Sequence, residues 1–238
     1  MDSVTVGSFN IHWGRTRRVF EPFDVVGACR QLDVDVLALQ EVWGPDGEAS
    51  IAQEVGEALG YEVHEIWTAR GVTEPKVRLV GRPGEKVGDG HCGEAILTRV
   101  PHGAVTEHRL AGFLFDYTDR AVISTSVELG GVNVSVSASH FPHLEHFSPL
   151  LRWRLRNVLP QADEAAVLMG DFNMWRWVTR FILPGWSDTV RGATWPSFRP
   201  VFQIDHLLAT PSIRTTDAEV VHAGQSDHLP IRARLSVR

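Results

Sequence analysis

The sequence predicts an α/β protein folded as a single domain over residues 1–238. Apolar runs of strand length, closed by Gly, Pro, Asn or Asp, alternate with segments of helical period in the N-terminal part, and a hairpin pattern about Gly130-Gly131 follows later. The chain shows no linker, repeat or low-complexity stretch, so the strands and helices are expected to share one body. At 238 residues, 43% hydrophobic and 22% charged, the chain is long and apolar enough to bury one large core.

Taken in order, Ser3 to Phe9 alternates through Val4 and Val6 and predicts a strand that delivers Asn10 to its end. After a turn at Gly14, Arg15, Arg17 and Arg18 form a basic cluster. A helix is predicted over Val25 to Leu32, a buried strand over Val34 to Leu39 ending in Gln40-Glu41, and a second helix over Gly47 to Leu59. An acidic side chain directly after an apolar strand is costly to bury unpaired, so Glu41 should meet a cation or face water. Tyr61 to Trp67 reads as extended, and Gly71 to Gly90 as a polar, Gly-rich loop or hairpin. Glu94 to Leu97 opens another strand, and Val122 to Val127 with Val132 to Ser139 reads as a hairpin whose second strand ends at His140. Leu150 to Leu159 is an amphipathic helix with Arg152 and Arg156 four apart on one face. Ala165 to Met169 is an apolar run of buried-strand type, closed by Gly170. Ile204 to Ala209 forms a strand with Asp205 near its start, Val220-Val221 lies in another, and Ser226-Asp227-His228 precedes a last strand from Ile231 to Val237.

Composition limits the function. No apolar run approaches the roughly 18 residues of a membrane span, and the start, Met1 to Val6, lacks a basic stretch followed by an apolar one. A cytoplasmic monomer is expected. Cys29 and Cys92 have no zinc or redox spacing and read as reduced core thiols. The net charge of −6 argues against coating nucleic acid through bulk positive charge, while a local basic patch stays open. Of 23 basic residues only Lys76 and Lys86 are lysines. Arginine suits bidentate phosphate contacts, but a coding bias produces the same preference.

Around Asp171-Phe172-Asn173 the chemistry concentrates. Spacing of two on an extended chain puts Asp171 and Asn173 on one face and turns Phe172 into the core. Such a tripeptide is either an Asx turn closing a strand or a carboxylate and carboxamide placed to handle water and a phosphate oxygen. Asn10, Glu41, His140, Asp171, Asn173, Asp205, Asp227 and His228 all fall at or near predicted strand ends. Oxygen ligands, water-orienting groups and imidazoles are the types that a magnesium-dependent phosphoester hydrolase requires.

Six stretches resemble motifs of the endonuclease/exonuclease/phosphatase superfamily: Ser8-Phe9-Asn10, Leu39-Gln40-Glu41-Val42, Gly93-Glu94-Ala95-Ile96-Leu97, Gly170-Asp171-Phe172-Asn173, Ile204-Asp205-His206 and Ser226-Asp227-His228-Leu229-Pro230. They occur in the family's order across nearly the whole chain. The resemblance implies a four-layered αββα sandwich of two facing sheets flanked by helices, with a metal site at one edge. It implies Glu41 as chief ligand of Mg2+, for which Mn2+ can substitute, with Asn10 and Asp227 completing the site directly or through water. It further implies Asp171 as the residue that orients or deprotonates water, Asn173 as a phosphate-oxygen contact, and His228 oriented by Asp205 at the scissile phosphate.

Ser139-His140-Phe141-Pro142 resembles a His-x-x-Pro segment of pancreatic-type deoxyribonucleases and neutral sphingomyelinases, with the proline one residue nearer. In that branch Glu94 would pair with His140 and Arg120 would contact phosphate; otherwise Glu94 is a surface residue at a strand start. Trp175, Arg176, Trp177 and Arg180 follow the Asp-Phe-Asn motif and are expected to flank the cleft. Their types suit stacked bases with phosphates, a lipid interface, or packing over a helix end. The expected activity is therefore a nuclease, with hydrolysis of a lipid headgroup or a small phosphoester as the alternative.

Overall fold

The structure, a computed structural model, describes residues 1–71, 89–110, 119–142 and 149–238. The loop or hairpin expected between Gly71 and Gly90 lies, except at its ends, outside the described residues.

In chain order the elements are β1 (Val4–Asn10), α1 (Val25–Leu32), β2 (Val36–Pro45), α2 (Ile51–Leu59), β3 (Glu62–Arg70), β4 (Gly90–Thr98), β5 (Thr106–Leu110), β6 (Arg120–Leu129), β7 (Val132–Ser139), α3 (Pro149–Val158), β8 (Ala166–Asp171), α4 (Arg176–Ile182), β9 (Ser187–Asp188), β10 (Asp205–Ala209), β11 (Ile213–Val220) and β12 (Ile231–Val237). They build two six-stranded mixed sheets, ordered β11-β12-β1-β2-β4-β3 and β5-β6-β7-β8-β10-β9. Parallel pairs β1–β2 and β7–β8 lie near the middle of each sheet.

Period-2 alternation creates the four layers. Val36, Ala38, Val136, Val167, Met169 and Leu207 face inward and fill the space between the sheets. Leu37 and Leu39, on the opposite face of β2, pack under Ala28 and Leu32 of α1 and Val55 of α2. Leu168 and Leu208 meet Leu151 and Leu155 of α3 and Val178 of α4 on the far side of the second sheet. Strands covered on both faces have no polar side to show, which is why β2 and β8 read as continuous apolar runs. The αββα sandwich expected from the family resemblance is the fold observed.

Local chemistry sets the ends. Asp24 caps α1 by accepting from the Gly27 amide at 2.7 Å. Ser50 and Gln53 form a reciprocal capping box on α2, so that helix starts at Ile51 and not at the expected Gly47. Gly130 and Gly131, at φ 57° and 78°, supply the two left-handed residues of the β6–β7 hairpin turn. Cys29 is buried and Cys92 half-buried, both as free thiols, and burial pushes each thiol pKa up to about 12. Among the described residues no helix is long and apolar enough to cross a membrane.

Several strands differ from expectation: β4 begins at Gly90 and not at Glu94, the short β9 was unexpected, and β2 and β5 depart further. β2 does not end at Glu41; it continues to Pro45 through a bulge between Gln40 and Val42. β5 was unexpected because four of its five residues are exposed and polar, leaving no apolar alternation to read.

Candidate active site

The polar residues at strand ends converge where β1 and β2 of one sheet face β8 and β10 of the other. β1 carries Asn10 to its last position, and the Ser226 hydroxyl donates to the Asn10 carbonyl at 2.7 Å while accepting the His228 amide at 3.2 Å. That serine ties the Asp227-His228 loop to the end of β1. Glu41 is the extra residue of the β2 bulge and holds φ at 53°, a left-handed value that non-glycine residues rarely adopt. The bulge turns a side chain out of the sheet's regular alternation and into the cleft. Gly170 plays the matching part in β8: at φ 151°, a Cβ there would fall on the Ser139 carbonyl oxygen, so only glycine lets β8 close on the end of β7.

Asp171 is the hub. Its Oδ2 accepts from Asn10 Nδ2 at 3.0 Å and lies 3.6 Å from Nε2 of both His140 and His228. Its Oδ1 accepts the Asn173 amide at 2.8 Å, so the Asx turn forms through one carboxylate oxygen while the other faces Asn10 and the two imidazoles. Asn10 Nδ2 also donates to Glu41 Oε1 at 3.1 Å, while Asn10 Oδ1 accepts from the His12 amide. Asn10 thus presents nitrogen, not oxygen, to the carboxylates it was expected to join as a ligand.

The imidazoles differ. Asp205 embraces His228 Nδ1 at 2.9 and 3.2 Å. Burial opposes a charge on His228, but Asp205, Asp171 and Asp227 together raise its pKa well above 6.5. His140 Nε2 instead meets Asn173 Nδ2 at 3.0 Å, and the same amide group donates to the Phe141 carbonyl at 3.0 Å. Asn173, itself at φ 51°, therefore braces His140.

Glu94 and Arg120, read from the sequence as substrate contacts, are buried at 2% and 4% exposure. Glu94 sits in mid-strand, and the ion pair of the His140 ring among the described residues is with Asp171, not Glu94. Burial pushes the Glu94 carboxyl up to about 8 against the opposing pull of Arg120 and of the His140 backbone amide. Arg120 Nη1 donates to the His140 carbonyl at 3.3 Å, so this pair supports the His140 backbone from behind.

Glu41 and Asp227 are the candidates for a cation. Glu41 Oε2 is buried with no hydrogen-bond partner among the described residues. Burial, reinforced by the Asp227 carboxylate, raises the Glu41 pKa against His12, His228 and Asn10. Burial would also raise Asp227, but His228, His12, the Trp195 indole and Arg17 hold it below the usual range. A buried carboxylate oxygen lacking a donor and repelled by a second carboxylate is what a hard divalent cation relieves. Asp171, Asp205 and His228 also bring ligand atoms within 4.8 Å of one another, but there both imidazole nitrogens already face carboxylates.

The aromatic run after Asn173 divides. Trp175 and Trp177 are more than half exposed and stack at 6.2 Å. Arg176 turns instead to Asp188 at 3.3 Å, where His206 Nδ1 also lies at 2.8 Å from the same oxygen. Arg180, in the last turn of α4, remains on that helix's surface. Sequence reasoning missed His12, Trp195 and the buried Asp188–His206 pair, and noted Arg17 only as part of a basic cluster. Trp195 Nε1 donates to Asp227 Oδ2 at 3.1 Å, and Arg17 lies over the rings of Trp195 and Phe198 at 5.3 and 4.9 Å.

Comparison with known proteins agrees with this geometry. The model of the endonuclease/exonuclease/phosphatase family matches residues 7–228. The sequence matches no curated protein. Among solved structures it is similar to an endonuclease/exonuclease/phosphatase from Beutenbergia cavernae DSM 12333, at 22% identity and TM-score 0.74 over 100% of this chain and 72% of that one. It is also similar to the human Nocturnin catalytic domain with bound sulfate, at 16% identity and TM-score 0.67 over 100% and 94% of the two chains. A third is D. rerio TDP2 complexed with a single-strand DNA product, at 17% identity and TM-score 0.64 over 99% of each chain. At such identities the likeness speaks for the fold, whereas the family match runs from before Asn10 to His228. The chain belongs to the endonuclease/exonuclease/phosphatase family, and with it to the phosphoester hydrolases of nuclease and phosphatase type.

Proposed function

We propose that the protein is a magnesium-dependent nuclease that cleaves phosphodiester bonds in single-stranded nucleic acid. The observation that carries the substrate class is the pair of aromatic platforms near the site: Trp175 stacked on Trp177 two residues after Asn173, and Arg17 over Trp195 and Phe198 beside Asp227. Bases stack on exposed rings regardless of sequence, and guanidinium groups meet the phosphates between them. The D. rerio TDP2 structure, which holds a single-strand DNA product on the same fold, supports this reading.

In this reading the scissile phosphate lies between Asp171, His140 and His228. The His228 imidazolium, held by Asp205, stabilises charge as it develops on phosphoryl oxygen. Asp171 Oδ2 accepts the proton of the attacking water, with Asn10 fixing the carboxylate's orientation. Asn173 positions His140, and Glu94 with Arg120 holds the His140 backbone. Glu41 and Asp227 would hold Mg2+, or Mn2+ in its place, which supplies Lewis-acid stabilisation of phosphoryl charge.

The test is an assay of purified protein with Mg2+ on single- and double-stranded DNA, RNA, a sphingomyelin-like lipid and sugar or inositol phosphates, with Asp171→Asn as control. Cleavage of single strands, lost in Asp171→Asn, is expected. Turnover of the lipid or a small phosphoester with nucleic acids untouched would overturn the nuclease reading and leave the hydrolase chemistry standing.

A further inference from the structure

At the other end of the first sheet lies a second cluster of ligating side chains. Glu62 pairs in register with Thr98, which pairs with Val36, the first residue of β2. Glu41 is five residues further along that strand, about 17 Å at the usual strand rise. Glu62 and His64 are two apart on β3 and project from the same face. His102, between β4 and β5, joins them from a segment that bridges to Val127 of β6.

The geometry is specific. His64 Nε2 lies 3.1 Å from Glu62 Oε1 and His102 Nε2 lies 3.3 Å from Glu62 Oε2. One ligand atom from each of the three residues falls within 4.8 Å of the others, and the two rings meet edge to face at 5.5 Å. Glu62 and His102 both line a surface cleft of about 560 Å³.

Neighbouring groups fix the His102 tautomer. Its Nδ1 lies 2.8 Å from the Gly103 carbonyl, which can only accept. Thr125 Oγ1, 3.3 Å from the same Nδ1, already donates its proton to that carbonyl at 2.9 Å, so it too accepts. The proton of neutral His102 is therefore on Nδ1, and the Nε2 lone pair points at a carboxylate. Two electron-rich atoms facing each other at 3.3 Å call for a cation between them or a second proton on the ring. An outer carbonyl on one imidazole nitrogen with the other free to ligate is the arrangement that orients a metal-binding histidine.

We propose that Glu62, His64 and His102 form a Zn2+ site separate from the active site. Ligand atoms 2.0–2.1 Å from a tetrahedral zinc lie about 3.3 Å from one another. The 3.1 and 3.3 Å separations are of that size but run to different oxygens of Glu62. One ligand atom from each residue already lies within 4.8 Å of the others, so a small turn of the exposed carboxylate closes the set on one ion. Two imidazoles and one carboxylate leave the fourth position to water or an anion. Because His102 reaches the second sheet through Thr125 and the bridge to Val127, the ion ties the β3 edge of one sheet to β6 of the other.

The test is a Zn2+ titration of the full chain in excess Mg2+, which occupies the oxygen-rich active site, read by calorimetry, by Tm and by the visible spectrum of the Co2+ form. One equivalent of Zn2+ should bind and raise Tm by mass action. Co2+ should show the visible absorption of a four- or five-coordinate site with imidazole ligands. Glu62→Gln and His64→Ala, both at exposed or half-exposed positions, should weaken Zn2+ binding by more than the about 10–100-fold expected for loss of an outer-shell partner, and His102→Ala should do the same. Glu41→Ala should leave the Zn2+ equivalent in place. The proposal is overturned if Glu62→Gln and His64→Ala bind Zn2+ as wild type does, or if the only Zn2+ bound is lost with Glu41→Ala.

Discussion

Both carboxylate oxygens of Asp205 reach Nδ1 of His228, at 2.9 and 3.2 Å, leaving Nε2 to face Asp171 at 3.6 Å. Burial works against the charge, but three aspartates raise the His228 pKa well above its ordinary value, so the fold favours the charged ring. Its contribution to stability is complete below the unfolded pKa and is lost as pH rises through the raised folded value. Turnover that needs the imidazolium should follow the same alkaline limb. His228→Ala should cost about 10²–10⁴-fold in kcat. Asp205→Asn should cost less and bring the alkaline limb to lower pH. An unmoved limb in Asp205→Asn would show that Asp205 does not set the charge of the ring.

Glu94 gives a pH effect of opposite origin. Its carboxyl is pushed up to about 8 by burial, so between its ordinary value and that one the folded state holds a proton the unfolded state has lost. Stability from this group therefore falls as pH rises across that window. Glu94→Gln should flatten the fall and melt higher than wild type at pH 9, by about 2–4 °C for each kcal/mol of ionisation cost removed. Parallel Tm-against-pH curves for the two proteins would count against it.

Metal removal separates ligand from scaffold. EDTA should abolish hydrolysis and Mg2+ or Mn2+ restore it. Glu41→Ala should lose activity and also the rise in Tm that Mg2+ gives wild type, since a ligand stabilises only the state that binds it. In the absence of metal, Glu41→Gln should be no less stable than wild type, because it removes the repulsion from Asp227. Wild-type turnover by Glu41→Ala would remove Glu41 from the metal site.

The arginines of α4 should part company. Arg180→Ala, with the ring changes Trp175→Ala and Trp177→Ala, should weaken single-strand binding, each ring by about 1–3 kcal/mol per stacked base. Arg180→Ala should also flatten the salt dependence of affinity. Arg176→Ala should instead lower Tm, because Asp188 lies within 3.3 Å of Arg176 and 2.8 Å of His206 in a buried network. Asp188→Ala, which strips that network of its carboxylate, should cost about 3–5 kcal/mol. Loss of binding with unchanged Tm in Arg176→Ala would reverse this division.

What was legible in the sequence follows from periodicity and from order along the chain. β12 and α1 match their expected bounds because apolar spacing alone defines them. The six motifs grouped Asn10, Glu41, Asp171, Asp205, Asp227 and His228 because they follow the family's order, and all but Glu41, at the β2 bulge, lie at or near an end of a strand: Asn10 and Asp171 close theirs, Asp205 opens β10, and Asp227 and His228 precede β12. Glu94 was misread as a strand start because its strand begins at Gly90 with half-polar residues that carry no alternation. The bulge at Glu41 could not be seen because register belongs to a pair of strands, and one strand's sequence does not contain it. His12 and Trp195 were missed because both lie outside the long strands and helices and meet Asp227 and its neighbours only through the fold. The signal that could have singled out Arg17 was its place among aromatic residues distant in sequence, which only the fold brings near.

The Asn10 amide donates to Glu41 on its own sheet and to Asp171 on the other, so one carboxamide crosses the seam between the two halves of the sandwich. Slow opening of the molecule along that seam must break this crossing before the inward faces of β1 and β8 part. Amides at the ends of those strands should therefore exchange their hydrogens only as fast as the halves separate. Any molecule that grips Glu41 and Asp171 together would then act as a clasp, lengthening the lifetime of the closed form as well as occupying the cleft.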